Sequence, residues 1–132
     1  MLEMKMEKPR RALLVDDDHA IRLMLGRLIV SFGFDVSYAE NGKIALELFD
    51  LADGGFDLLI TDICMPEMNG NELVREIRKR DENLPIIAIT GFADRELIGE
   101  ILSCNARLFE KPIDFKSLHK HIDSLQYGMS DS

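Results

Sequence analysis

Five short apolar runs alternate along the 132-residue chain with five segments of helical periodicity. Such alternation is typical of parallel strands joined by helices that cover both faces of a sheet. Right-handed crossovers leave few arrangements of these units. We therefore predict an α/β fold, a flavodoxin-like doubly wound (βα)5 three-layer sandwich with parallel strand order 2-1-3-4-5. The strands are predicted at residues 12–15, 35–39, 56–61, 85–90 and 107–110, and the last three helices at 71–80, 94–102 and 114–125.

The length is that of one domain. We interpret residues 1–10 as a charged amino-terminal tail, 11–126 as the domain and 127–132 as a frayed carboxyl-terminal tail. Apolar residues make up 46% of the chain and charged residues 30%, as in ordinary globular proteins. The net charge of −8 argues against direct nucleic-acid binding, because contacts with phosphates need a positively charged surface.

The cysteines and the apolar runs indicate the compartment. Cys64 and Cys104 form no C-x-x-C pattern, which argues against a disulfide framework or a structural zinc site. No apolar run approaches the roughly 20 residues that span a bilayer, so we expect no membrane insertion. The first residues lack the apolar segment of a signal peptide. The expected location is the cytoplasm.

Polar residues follow the strands where each strand ends. Three aspartates, Asp16, Asp17 and Asp18, follow the first strand, and Asp62 ends the third. In an open parallel sheet, ligands bind at the carboxyl ends of the strands, close to where the strand order reverses. Crowded carboxylates repel one another unless a cation lies between them, and oxygen ligands of this kind suit Mg²⁺.

The fourth and fifth strands add a hydroxyl and a cation, Thr90 and Lys111. Carboxylates, Mg²⁺, a lysine and a threonine together describe a pocket that stabilises a phosphoryl group on a carboxylate nucleophile. Asp62 is the preferred nucleophile because it stands alone at the centre of the sheet, which leaves Asp16 and Asp17 for the metal. Taken singly, an acidic residue after a strand can simply cap a helix, and Asp18 is interpreted in that way.

Four segments together resemble a CheY-like receiver domain of bacterial two-component response regulators. The resemblance extends from Arg11 to about Leu125, and the D-x-x-M-P-x-M-x-G stretch is its specific part. The segments are Leu14-Val15-Asp16-Asp17-Asp18, Asp62-Ile63-Cys64-Met65-Pro66-Glu67-Met68-Asn69-Gly70, Ile89-Thr90-Gly91 and Glu110-Lys111-Pro112.

The resemblance implies that Asp62 is the phosphoacceptor, which receives a phosphoryl group from a phosphohistidine of a sensor histidine kinase. It implies that Asp17 and Asp62 bind Mg²⁺ by side chain, Cys64 by its backbone carbonyl and Asp16 partly through water. Thr90 and Lys111 would contact the phosphoryl oxygens, and the Lys111–Pro112 bond would be cis.

The sequence departs from the family pattern at several positions. Family members usually carry Tyr or Phe three residues before the lysine, where this chain has Leu108, and the adjacent Phe109 should point to the opposite face of its strand. Cys64 and Phe92 stand two residues after Asp62 and Thr90. Neither side chain holds an attacking water well, which predicts slow self-dephosphorylation. Cys104-Asn105 replaces the commoner Gly-Ala before the fifth strand.

As an output, the resemblance implies protein–protein contact through the surface of helix 4, strand 5 and helix 5, or onward phosphotransfer to a histidine phosphotransfer protein. We expect a stand-alone receiver, because no output domain follows Lys111. Phosphorylation could also produce a dimer through the same surface. The protein would catalyse its own phosphorylation and dephosphorylation without turning over an external substrate.

Several alternatives remain open from the sequence. The chain could be a phosphorylation-independent interaction module, or a receiver excised from a larger regulator or hybrid kinase. A haloacid-dehalogenase-like phosphohydrolase would need D-x-D-x-T after the first strand, where this chain has Ala20, together with a cap segment. A flavodoxin would need a Ser/Thr/Gly-rich phosphate loop in place of the acidic triplet.

Overall fold

The computed structural model describes residues 9–65, 68–91 and 95–127 as a five-stranded parallel sheet flanked by five helices. The elements are β1 (Arg10–Val15), α1 (His19–Ser31), β2 (Phe34–Ala39), α2 (Gly42–Ala52), β3 (Leu58–Asp62), α3 (Gly70–Arg80), β4 (Ile86–Thr90), α4 (Arg95–Ser103), β5 (Arg107–Glu110) and α5 (Phe115–Tyr127). The strand order is β2-β1-β3-β4-β5, which confirms the predicted flavodoxin-like topology.

Some predicted features lie outside the described residues. They are most of the amino-terminal tail, the segment 128–132, Pro66 and Glu67 of the specific motif, Phe92, and the predicted start of the fourth helix at Asp94. Within the described part of the chain, β1 begins at Arg10 and α5 extends to Tyr127, so both elements run slightly further than the sequence pattern predicted.

The register of the sheet brings the carboxyl ends of the strands to one edge. Val15 pairs with Thr61 between β1 and β3, and the next residue of β3, Asp62, pairs with Ile89 of β4. Thr90 then pairs with Glu110 of β5. The polar residues that follow or end these four strands therefore share the same edge of the molecule.

Two apolar layers sandwich the sheet, because successive side chains of a strand point to opposite faces. Helices α2, α3 and α4 pack on one face, and α1 and α5 pack on the other. Leu108 contacts the first layer and Phe109 is buried in the second, which confirms the expected opposition of these two side chains.

In the part of the chain that the structure describes, four helices begin with a side chain that accepts a backbone N–H of the first turn, which satisfies a donor that the helix itself cannot. The predicted cap Asp18 is confirmed. The pairs are Asp18 with Ile21 N at 3.1 Å, Asn41 with Ile44 N at 2.8 Å, Asn69 with Glu72 N at 3.2 Å and Asp114 with Lys116 N at 3.1 Å.

The Arg78 guanidinium joins the end of α3 to the turn between α4 and β5. Its Nε donates to the carbonyl of Cys104 at 2.7 Å and its Nη2 to that of Asn105 at 3.1 Å. Its Nη1 donates to the carbonyl of Asp81 at 2.9 Å. Asn105 has a left-handed backbone with φ of 61°, a conformation that Asn tolerates better than most residues. The departure at Cys104-Asn105 is thus accommodated.

Apolar spacing does not fix the burial of every residue on α5. Phe115 shares a face of the helix with Leu118 and Ile122, yet it is 43% exposed whereas they are buried. Phe115 is the first residue of the helix and lines a shallow groove with Leu23, Met24 and Arg27 of α1. Among the described residues, no helix has both the length and the apolar character needed to cross a bilayer.

Candidate functional site

Three carboxylates converge at the carboxyl edge of the sheet. One oxygen each from Asp16, Asp17 and Asp62 lie within 4.8 Å of one another. Asp16 and Asp62 are only 1% and 5% exposed, whereas Asp17 is open to solvent. The structure thus brings together the three aspartates that the sequence singled out, with two buried and one facing water.

Burial makes the charged forms of these groups costly. Burial raises the pKa of Asp16 to about 6, and the nearby Asp62 charge raises it further. A hydrogen bond from the Asp18 N–H acts in the opposite direction and lowers this pKa. Burial also raises the pKa of Asp62, and the Lys111 ammonium is the main opposing influence. With three carboxylates gathered beside the Lys111 ammonium, the site also holds more negative charge than that lysine can neutralise.

The two carboxylate oxygens of Asp16 differ in their partners. Oδ1 accepts the Asp18 N–H at 2.9 Å, whereas Oδ2 is buried and has no hydrogen-bond partner among the described residues. An unpartnered buried carboxylate oxygen beside two further carboxylates is the donor set that a hard cation such as Mg²⁺ requires. The residues present fit a magnesium ion.

Lys111 contributes the cation of the site. Its Nζ lies 3.6 Å from Oδ2 of Asp62, and its backbone N–H donates to the carbonyl of Thr90 at 2.8 Å. The Lys111–Pro112 peptide bond is cis, as the resemblance implied. Lys111 and Asp62 are therefore neighbours, although β4 separates their strands in the sheet.

Thr90 and Cys64 flank this group. Thr90 ends β4 with its side chain buried, next to β3 and its terminal Asp62. Cys64 lies just beyond β3 and is exposed. His19, which follows the acidic triplet, is the exposed first residue of α1, with its Nδ1 3.0 Å from Nη2 of Arg22.

Two residues near the site have contacts that sequence reasoning missed. Arg22 donates from Nη1 to the backbone carbonyl of Asp16 at 2.6 Å. A Cβ on Gly70 would lie 2.4 Å from the carbonyl oxygen of Asp62 and 2.6 Å from Cα of Ile63, so no other residue fits there without a shift. Gly70 belongs to the specific motif, whereas the only signal for Arg22 is its place one turn after the capping Asp18.

Comparison with known proteins identifies the family. The model of the response regulator receiver domain matches residues 12–123, which include the carboxylates, Thr90 and Lys111. The chain belongs to the response regulator receiver domain family. Receiver domains work with histidine kinases and downstream protein partners, and they generically bind Mg²⁺ and carry phosphoaspartate.

Relatives of this receiver domain differ greatly in length. It is 36% identical over 117 residues to the response regulator receiver protein CpdR of Brucella abortus. The aligned region covers 88% of this chain and 96% of CpdR. It is 38% identical over 110 residues to the regulatory protein AtoC of Escherichia coli. That aligned region covers 83% of this chain but only 23% of AtoC. The chain thus spans less than a quarter of AtoC.

A solved structure shares both the fold and the extent of this receiver domain. The CheY-like response regulator receiver domain protein of Methanospirillum hungatei superimposes with a TM-score of 0.84 at 27% sequence identity. The match covers 95% of this chain and 100% of that one.

Proposed function

We propose that this receiver domain accepts a phosphoryl group on Asp62 in a Mg²⁺-dependent reaction, with a phosphohistidine of a histidine kinase as the donor. The observation that carries the proposal is the position of Asp62 within the carboxylate cluster and 3.6 Å from the Lys111 ammonium. A nucleophilic carboxylate, a group of metal ligands and a fixed cation meet at one point of the sheet edge.

The metal ligands proposed are the side chains of Asp16, Asp17 and Asp62 and the backbone carbonyl of Cys64. The unpartnered Oδ2 of Asp16 and the grouping of the three carboxylates support this assignment. When bound, Mg²⁺ would neutralise the crowded carboxylates and bind an oxygen of the incoming phosphoryl group.

In the proposed step, a carboxylate oxygen of Asp62 attacks phosphorus and forms an acyl phosphate. The bond between phosphorus and the histidine nitrogen breaks, and its electron pair returns to the imidazole. Lys111 would stabilise the negative charge on the phosphoryl oxygens, and the Thr90 hydroxyl would donate a hydrogen bond to them. Hydrolysis of the acyl phosphate by water would return Asp62 to its free form.

We further propose that the phosphorylated domain signals through the surface formed by α4, β5 and α5, either to a downstream protein target or by dimerisation. Onward transfer to a histidine phosphotransfer protein is the other route. The location proposed is the cytoplasm.

Similarity over 96% of CpdR supports a stand-alone receiver, and the match to only 23% of AtoC supports a receiver within a longer regulator. The mass of the native protein distinguishes these two arrangements.

A phosphorylation-independent interaction module is the second candidate function. Leu108 favours it, because this side chain takes the place of the usual switch aromatic and packs in the layer that contains α4. Phosphorylation of the wild type, compared with Asp62→Asn, distinguishes the two functions.

The decisive experiment is intact mass after incubation with acetyl phosphate and Mg²⁺. We expect the wild type to gain one phosphoryl group, and we expect no gain with EDTA or in Asp62→Asn. Asp35→Asn, which changes an exposed aspartate on β2, is the matched control and should gain the group normally. If neither acetyl phosphate nor a histidine kinase phosphorylates the wild type, the interaction module replaces the proposal.

A further inference from the structure

The loop that carries Asp16 and Asp17 is tied to the first turn of α1 by Arg22. Nη1 of Arg22 donates to the carbonyl of Asp16 at 2.6 Å, and Nη2 lies 3.0 Å from Nδ1 of His19. Since a guanidinium can only donate, Nδ1 of His19 is the acceptor in this contact. One side chain thus holds both the metal-site loop and the start of the helix that follows.

The Asp16 carbonyl belongs to the peptide plane that joins Asp16 to Asp17. Because a peptide unit is planar, a hydrogen bond to its oxygen constrains the orientation of the whole plane and with it the position of the Asp17 Cα. On the other side of Asp16, its backbone N–H donates to the carbonyl of Ala39 at 3.1 Å. The backbone around Asp16 is therefore held from β2 on one side and from α1 on the other.

The Asp16 side chain is held as well, because Oδ1 accepts the Asp18 N–H at 2.9 Å. With the backbone and Oδ1 both fixed, the unpartnered Oδ2 is held within the carboxylate group at a defined place. Arg22 is half-buried, so its bond to the Asp16 carbonyl is partly shielded from competing water. It is a charge-assisted bond, which is the stronger kind.

We propose that Arg22 is a positioning residue for the Mg²⁺ site, which sets the relative placement of the Asp16 and Asp17 carboxylates by fixing the peptide between them. This inference rests on the proposed Mg²⁺-dependent phosphorylation of Asp62. Arg22 touches neither the metal nor the phosphoryl group and acts through the backbone of the ligands. Groups that orient metal ligands typically change metal affinity by about 10- to 100-fold when they are removed.

The test measures Mg²⁺ affinity and phosphorylation separately in Arg22→Gln, Arg22→Lys and Arg27→Gln. Arg27 lies on the same helix and is exposed, which makes it the matched control. Mg²⁺ affinity is read from the ¹H–¹⁵N NMR spectrum during titration with the metal alone. Phosphorylation by acetyl phosphate is then followed by intact mass over a range of Mg²⁺ concentrations.

We expect Arg22→Gln to raise the Mg²⁺ dissociation constant by about 10-fold, at the lower end of the range for such groups. Phosphorylation should need correspondingly more Mg²⁺, with a maximal rate within about twofold of wild type, because the reacting groups are untouched. The dissociation constant of Arg22→Lys should fall between those of the wild type and Arg22→Gln, since one ammonium nitrogen replaces the two guanidinium nitrogens that contact Asp16 and His19 separately. Arg27→Gln should match the wild type.

An unchanged Mg²⁺ affinity in a folded Arg22→Gln overturns the inference, and so does a loss of phosphorylation that added Mg²⁺ does not restore. If Arg22→Gln does not fold, Arg22→Lys decides by the same two readouts. Failure of the proposed function is a separate result, in which the wild type binds Mg²⁺ but is not phosphorylated by any donor. The metal titration still tests Arg22 in that case.

Discussion

At Cys64, the exposed side chain two residues after the proposed phosphoacceptor offers only a thiol to an attacking water. We predict that the acyl phosphate on Asp62 is long-lived for this reason. Replacing Cys64 with Asn and Phe92 with a polar residue should speed phosphate loss by about 10-fold or more, because a positioned water gains from hydrogen-bonding partners. Decay of the phosphorylated mass after removal of the donor measures the rate, and an unchanged rate in the double variant would contradict the prediction.

His121 predicts a pH dependence of folding. Burial lowers the pKa of its imidazole, and the Arg107 charge lowers it further. The folded protein therefore favours the neutral ring more than the unfolded chain does, so this stabilisation is present above the ordinary pKa of 6.5 and is lost as the pH falls below it. We expect the free energy of unfolding to drop less between pH 7 and 5 in His121→Gln than in the wild type.

Chemical denaturation at a series of pH values measures this difference. Arg107→Gln is the control, because it removes one of the two causes and should reduce the slope in part. Parallel curves for the wild type and His121→Gln would show that the ring does not contribute.

At the residue scale, the sequence predicts which chemical groups meet at the site better than it predicts the hydrogen bonds between them. Asp62, Thr90 and Lys111 could be placed together because parallel strands end at one edge of a sheet. The unpartnered Oδ2 of Asp16 and the bond from Arg22 could not be predicted, because they depend on side-chain rotamers and on the path of one loop. Neither leaves a periodic signal in the sequence.

At the element scale, the start of α3 is set by its first residue, Gly70. A Cβ there would meet backbone atoms of Asp62 and Ile63, which cannot move without shifting β3. We expect Gly70→Ala to lower the free energy of unfolding by about 1–3 kcal/mol, the usual cost of overpacking. It should also reduce phosphorylation of Asp62, since the strain falls on the backbone of that residue.

Gly99 of α4 provides the opposite case. Among the described residues, a Cβ at Gly99 meets nothing within 4 Å, so Gly99→Ala should stabilise the helix by about 0.5–1 kcal/mol. Urea denaturation of the two alanine variants compares them directly. Equal effects would mean that the close approach at Gly70 does not limit what fits there.

The helices show where pattern reasoning fails at this scale. Leu73, Val74 and Ile77 of α3 are buried as their spacing predicts. Phe115 has the same apparent phase on α5 yet is exposed, because the first residue of a helix can lie beyond the edge of the layer that the helix covers. Periodicity fixes the face of a helix but not how far the sheet extends beneath it.

At the scale of the whole molecule, the acidic site opposes folding while no metal is bound. Asp16→Asn should raise the free energy of unfolding in EDTA by about 2 kcal/mol, because it removes a buried charge and its amide can donate to the neighbouring carboxylates. Saturating Mg²⁺ should stabilise the wild type by about 3 kcal/mol at 100 times its dissociation constant, and the variant by less.

Urea denaturation with and without Mg²⁺ provides both numbers, and Asp35→Asn again serves as the exposed control. Lower stability of Asp16→Asn in EDTA would mean that the Asp18 hydrogen bond outweighs the cost of burying the charge. The strand order and the two apolar layers follow from the alternation in the sequence, whereas this balance depends on distances that only the folded chain defines.

The Arg78 guanidinium also has a consequence for motion. It holds three backbone carbonyls, two of them directly after α4, so the carboxyl end of α4 is fastened to α3. Glu100, further along α4, also accepts hydrogen bonds from Asn71 and Arg75 of α3. Helices α3 and α4 are therefore joined at two levels, so a shift of α4 must either carry α3 with it or break these bonds.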